Sequence, residues 1–205
     1  ITLHALELTI HQATVTAGGS TQAASLSFDE DAETVTLALP AAVPAGPATL
    51  HFSFTGTLND QLRGFYRSSY TDAEGNPATM ATTQFEATDA RRCFPCWDEP
   101  AAKASFRIAL DVPQHMTALS NMPIVSEASA GTGRKRVQYD TTPKMSTYLV
   151  AMIVGDFVCR SGSSDGTTIR ICSTPDKQGL TAYALEAAEQ QLAFFNRYFG
   201  VRYPF

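Results

Sequence analysis

Apolar and polar residues alternate along most of the chain up to about residue 172. Val35, Leu37 and Leu39 define one face, Leu50, Phe52 and Phe54 another, and Phe106, Ile108, Leu110 and Val112 a third, from which Arg107 and Asp111 point away. A period of two is that of half-buried antiparallel strands, whose successive side chains leave on opposite faces. The opening ITLHALELTI follows the same pattern, with Ile1 and Leu3 succeeded, after a change of parity, by Leu6, Leu8 and Ile10. The pattern is already under way at a first residue that is not Met. The chain therefore reads as cut from a longer one, with a strand or two expected before Ile1 and an unpaired sheet edge exposed. Turn-forming residues punctuate the strands: three prolines and a glycine between Pro40 and Pro47, DAEGNP at 72–77 and SGSSDG at 161–166. The run from Tyr148 to Val154 is apolar on both parities, which predicts a strand covered on both faces.

From about Leu180 the period changes. LTAYALEAAEQQLAFFNRYF places Leu185, Ala188, Leu192, Phe195 and Phe199 on one helical stripe, with Glu186, Glu189 and Gln190 outside it. Gly200 supplies a left-handed C-terminal cap, and Pro204 forbids continuation. The fold class expected is mainly β, an antiparallel β-sheet domain over residues 1–174, with an amphipathic helix opening a second domain at 175–205.

Composition narrows the function. The net charge of −5 argues against nucleic acid as a partner, because a phosphate-binding surface needs clustered Lys and Arg. The one tight basic run, Arg134-Lys135-Arg136 after Gly131-Thr132-Gly133, reads as the solvated end of a hairpin. No stretch approaches the roughly 20 apolar residues of a membrane span, so no membrane partner is expected. Cys93, Cys96, Cys159 and Cys172 lack the second Cys-x-x-Cys or close His pair that a structural zinc site wants. His4, His11, His51 and His115 are scattered. The expectation is four thiols in a reducing compartment and no metal bound by these residues.

The densest chemistry lies in ATTQFEATDARRCFPCWDEP, residues 81–100. If Ala81 to Glu86 is a strand, Gln84 and Glu86 share one face, roughly 6–7 Å apart, and Phe85 enters the other. A carboxylate beside an amide suits a ligand with an ammonium group and nearby amide dipoles, such as a peptide N-terminus; a merely solvated strand face has the same pattern. Beyond it, Asp89, Arg91, Pro95, Asp98, Glu99 and Pro100 read as a rigid corner supporting that strand. Asp98 is expected to cap a single helical turn through Ala101-Ala102-Lys103, with Phe94 and Trp97 burying the corner.

TQFEATDARRCFPCWDEPAAKASF, with GFYRSSY at 64–70, LSNMP at 119–123 and TPKMSTYLVAMIVGDF at 142–157, resembles the M1 family of zinc aminopeptidases, and most of all its puromycin-sensitive, cytosolic branch. The helix ending in YFGVRYPF resembles that family's entry into its catalytic domain. The resemblance implies a saddle- or sandwich-like β domain followed by a thermolysin-like zinc domain, a cytoplasmic location, and peptides with a free N-terminus as substrates. It implies that Glu86 grips the substrate's α-ammonium with a buried carboxylate, that Gln84 lines the pocket for the first side chain, and that the peptide bond after Glu86 is cis. The zinc ligands, the general base and the exopeptidase motif of the family would lie beyond Phe205. By the same resemblance the full-length enzyme carries zinc, this fragment carries no catalytic residue and is inactive alone, and the remainder of its catalytic domain is its partner.

Two positions depart from the family pattern. Cys93 stands where a small residue is usual, which leaves only Cys96 to the motif, and Arg202 stands where proline is common. A non-catalytic M1-like scaffold is the alternative reading, disfavoured by the presence of both Gln84 and Glu86. An unrelated β-sandwich adhesion module is disfavoured by the length of the matching motif.

Overall fold

The computed structural model describes residues 1–203 and divides into two compact units. The first comprises Ile1–Tyr66, Thr83–Ala104 and Lys144–Val150; the second comprises Arg67–Thr82, Ser105–Pro143 and the chain from Ala151 onward.

In the first unit, β1 (Thr2–His4), β2 (Leu8–Ala17), β3 (Ser20–Ala23), β4 (Ser25–Asp29), β5 (Thr34–Ala38) and β6 (Ala48–Gly56) follow the expected alternation. They form two antiparallel three-stranded sheets, in the orders β1-β5-β4 and β3-β2-β6. Leu3, Val35 and Leu37 from one sheet and Ala13 and Val15 from the other make a single buried layer, onto which Leu26, Leu50 and Phe52 pack. This is the sandwich-like arrangement expected, since a sheet with one apolar face must bury it against another element. The register of β2 on β6 shifts between Ile10 and Gln12, so His11 is the extra residue of a bulge.

Strands β7 (Gly64–Thr71) and β8 (Pro77–Gln84) fall mostly in the second unit, with β9 (Ala109–Pro113), β10 (Thr117–Ser120), β11 (Ile124–Ser129), β12 (Arg134–Tyr139), β13 (Met152–Gly155), β14 (Val158–Ser164) and β15 (Thr167–Ser173). Their sheets run β10-β13-β8-β7, β11-β12-β9 and β14-β15. Val112, Ala118, Val137 and Tyr139 are buried together. In the β7–β8 turn, Asp72 Oδ1 accepts from the backbone N–H groups of Glu74 (3.0 Å) and Asn76 (2.7 Å), and these bonds, Asn76's foremost, lower its pKa. Arg134-Lys135-Arg136 begins β12 as the solvated end of a hairpin, with Arg136 paired to Asp111 and Lys135 to Glu127.

Helix α1 (Thr181–Phe199) ends at Gly200, whose φ of 68° is the left-handed cap expected. It lies on the β14–β15 hairpin. Gly162 of β14 lies so close to it that a Cβ there would collide with the Glu189 carboxylate and press on Leu185.

Five details differ from the sequence reading. The SGSSDG stretch is strand almost to its end, because the turn needs only Asp165 and Gly166, with φ of 50° and 85°. Tyr148 to Val154 is not one strand: a short 3-10 turn at Thr147–Leu149 precedes β13, and Leu149 is exposed. Phe106 and Ile108 precede β9 instead of lying in it. The helical stripe is rotated at its far end, where Phe195 and Phe199 are 47% and 65% exposed. Glu189 instead faces β14, accepting from Ser163 N–H at 2.9 Å. Finally, Cys159 and Cys172 are not free thiols; they stand directly opposite in the β14–β15 register, with Cα atoms 4.0 Å apart, and are joined by a disulfide. Spacing along the chain could not show this, because the pairing depends on strand register.

Candidate functional site

Strand β8 ends at Gln84, two residues earlier than expected, and Glu86 begins the turn that follows. The alternation nevertheless persists: Phe85 is 2% exposed, while Gln84 and Glu86 on either side of it are exposed. The Phe85 ring meets Phe94 edge-on, with centroids 5.9 Å apart and planes at 81°. Among the described residues, no hydrogen bond or ion pair engages the side chain of Gln84 or Glu86. These residues by themselves leave the Glu86 carboxylate open to water. The Glu86–Ala87 peptide bond is cis, as the resemblance implied.

The turn carrying Glu86 is held from its far end. Asp89 N–H donates to Phe85 O at 2.9 Å and closes it. A short 3-10 turn, Ala90–Arg92, follows. Arg92 Nε donates to Asp89 Oδ1 at 2.7 Å, and Arg92 Nη1 pairs with Glu7 at 2.7 Å. Gly64 stands over Arg92 with φ of 66°, where a Cβ would come within 2.9 Å of Arg92 Cβ. Position 64 thus demands glycine on both conformational and steric grounds.

Asp98 is the centre of the corner. Its side chain is 1% exposed. Oδ2 accepts from Arg91 N–H (3.2 Å) and Arg91 Nε–H (3.1 Å), and Oδ1 accepts from Thr147 Oγ1–H (2.6 Å). Arg91 Nη1 donates onward to Glu33 at 2.8 Å. Asp98 is therefore not a helix cap, as the sequence had suggested. No helical turn forms at 101–103, where Ala102 N–H bonds to Glu99 O in a simple turn. A buried carboxylate must find donors or a counter-charge, and Arg91 satisfies that need better than a solvated helix end.

Around this centre, Asp98 N–H donates to His4 Nδ1 at 3.1 Å, and His4 and Cys96 exchange backbone hydrogen bonds. The half-buried Pro95 leads into that bridge. The exposed Glu99 carboxylate lies 4.0 Å from His4 Nε2. Pro100 O accepts from Ser146 Oγ–H at 2.7 Å, and Ser146 in turn accepts from Lys103 at 3.0 Å. Trp97 does not bury the corner; it is 52% exposed and donates through Nε1 to Thr2 O.

Four contributors escaped the motif reading: His4, Glu33, Ser146 and Thr147. They lie 43 to 94 residues from the corner partners they bond, so no local signal marks them, although Ser146 and Thr147 fall within TPKMSTYLV.

Burial pushes the Cys93 and Cys96 thiols up to about 12, with the Asp98 charge adding to the effect on Cys96. A thiol held protonated in this way supplies little of the nucleophilic thiolate, which disfavours a redox role for the pair. In native protein at pH 8 neither is expected to alkylate, whereas both should react once the chain is denatured; rapid native labelling read by mass spectrometry would contradict this. The same shift makes stability fall as pH rises from about 9, where the unfolded thiols ionise, toward about 12.

Among the described residues, no group of three or more His, Cys, Asp or Glu side chains is placed to hold a metal ion. These residues do not fit the zinc that the resemblance implies, and no chemical step is derived through it. No described helix is long and apolar enough to cross a membrane.

Comparison with known proteins places the geometry in context. The Peptidase M1 N-terminal domain model matches residues 1–149. Aminopeptidase M1-B of Oryza sativa subsp. japonica is 45% identical over 205 residues, covering 100% of this chain and 23% of the relative. Puromycin-sensitive aminopeptidase of Caenorhabditis elegans is 40% identical over 91% of this chain and 20% of its own length. Aminopeptidase N of Acetobacter pasteurianus is 42% identical over 88% of this chain and 51% of its own. The chain thus spans about a quarter of the rice relative. With the family model over residues 1–149 and similarity along this whole chain in agreement over a mainly β fold, this chain belongs to the M1 peptidase family, whose N-terminal domain it contains.

Proposed function

We propose that this chain is the substrate-anchoring portion of a longer zinc aminopeptidase that releases N-terminal residues from peptides, with residues 1–174 as its β domain and 175–205 as the start of its catalytic domain. One observation carries this reading: Gln84 and Glu86 stand exposed on either side of the buried Phe85, without a partner among the described residues, in a member of this family. Burial of the Phe85 ring fixes the face from which the two flanking side chains leave the backbone.

Glu86 supplies a charge-assisted acceptor for the α-ammonium of a peptide, and Gln84 lies alongside the first side chain. An internal peptide bond brings no ammonium to this position, so cleavage is confined to the free end. The remainder of the catalytic domain is the second partner. The exposed rings of Phe194, Phe195, Tyr198 and Phe199, in mutual contact along α1, supply an apolar face for it.

The full-length protein is expected to release the first residue of a short peptide with a free N-terminus and to leave the N-acetylated form of the same peptide intact. Equal cleavage of both, followed by chromatography of the products, would refute the anchoring reading.

A cytoplasmic location rests on the resemblance to the puromycin-sensitive branch. The Cys159–Cys172 disulfide opposes it, because cytosolic thiol systems keep exposed cysteines reduced. Thiol trapping in intact cells decides the matter: both cysteines alkylated supports the cytoplasm, and an intact disulfide excludes it.

A further inference from the structure

We infer that Thr147 is a positioning residue for the Glu86 ammonium site, acting through Asp98 and Arg91. This inference rests on the aminopeptidase reading above. Asp98 Oδ2 is occupied twice by Arg91, through its backbone N–H and its Nε–H. Among the described residues, Oδ1 has one donor, the Thr147 hydroxyl at 2.6 Å. The carboxylate is almost entirely withdrawn from water, so an oxygen that loses its donor cannot recruit solvent in place. It must turn toward another donor, and the nearest belong to Arg91.

Arg91 is the residue through which such a turn reaches the site. Its backbone N–H is held by Asp98, its backbone O accepts from Leu6 N–H at 3.0 Å, and it sits in the 3-10 turn that directly follows the Phe85–Asp89 turn. Glu86 lies inside that closed turn. Among the described residues its side chain has no neighbour to orient it, so what the fold fixes is the placement of its Cα–Cβ bond, and the Arg91–Asp98 clamp adjoins the turn that sets this placement.

Thr147 is itself well fixed. Two residues before it, Met145 exchanges both backbone hydrogen bonds with Ala104, and the adjacent Ser146 bonds to Pro100 O. The segment 145–147 is thereby laced to 98–104 at three successive residues, and the Thr147 hydroxyl is the bond of the set that reaches the Asp98 carboxylate. A residue 49 positions away from Asp98 thus controls how rigidly the substrate-binding turn is presented.

The test uses four forms of the full-length enzyme: wild type, Thr147→Val, Glu86→Ala and the double variant. Valine keeps the β-branched shape and removes only the hydroxyl. Displacing a binding group by a fraction of an ångström to an ångström costs up to about 100-fold; we expect KM for a free-N-terminus substrate to rise about tenfold in Thr147→Val, with kcat little changed. In the Glu86→Ala background the same substitution should leave KM unmoved, because the group being positioned is gone. Thr147→Ser, which restores the hydroxyl, should return KM to near the wild-type value.

A merely structural role would reduce the amount of active enzyme, lowering apparent kcat equally in both backgrounds with KM constant, and that result overturns the inference. So does a KM rise that is additive with Glu86→Ala. If Glu86→Ala itself leaves KM unchanged, the anchoring reading fails first and this inference with it. If Thr147→Val does not accumulate as folded protein, Thr147→Cys makes the same comparison with a weaker donor, and is expected to give a smaller KM rise confined to the Glu86 background.

Discussion

Glu86→Ala in the full-length enzyme is expected to lower kcat/KM on aminoacyl substrates by an amount equivalent to about 2–4 kcal/mol, the cost of leaving a desolvated ammonium without its counter-charge. The size of the loss carries the argument. An ion pair that remains open to water is worth only about 0–1 kcal/mol, and Glu86 is exposed in the chain described here. A loss above about 2 kcal/mol therefore requires that bound peptide and the rest of the enzyme exclude water from the carboxylate. Steady-state kinetics on wild type and variant, with the folded fraction of each matched by circular dichroism, makes the measurement. An unchanged kcat/KM would remove Glu86 from the substrate site altogether.

The second large effect falls on stability. Asp98→Ala leaves Arg91 buried without its main partner, and breaking a buried pair in this way typically costs about 3–5 kcal/mol. Glu33 still accepts from Arg91 Nη1, so the lower end of that range is expected. Even this is a substantial share of the roughly 5–15 kcal/mol by which a domain is stable. The denaturant midpoint of the full-length protein reports it. Replacing Arg91 and Asp98 together with Met and Leu should recover part of the loss, because no uncompensated charge then remains. A loss under 1 kcal/mol in Asp98→Ala would show that the corner does not depend on this pair.

Much of the β framework was legible from residue order because one strand face is dry and the other wet. Val35 and Leu37, alternating with Thr34 and Thr36, are buried where their period places them, and Gly200 caps α1 as its backbone freedom allows. Illegible features had partners distant in sequence. Spacing places Phe195 on the apolar helical stripe, yet it is the β14–β15 hairpin that selects which side of α1 is covered, and the hairpin covers Glu189 instead. Likewise, DEP looked like a helix start because Asp, Glu and Pro favour one locally. Arg91 and Thr147 captured the carboxylate from 7 and 49 residues away.

The sequence by itself determined the mainly β class, the alternation that buries Phe85 and turns Gln84 and Glu86 outward, and the family resemblance carried by TQFEATDARRCFPCWDEP. Periodicity and local turn chemistry act within a few residues, and a string of residues records them directly. Only the tertiary structure decided that Asp98 is a clamp and not a cap, that Cys159 meets Cys172, and that the Thr147 hydroxyl donates to Asp98. Each of these depends on strand register or on a contact between remote segments, where the cost of burying a polar group selects one partner among many.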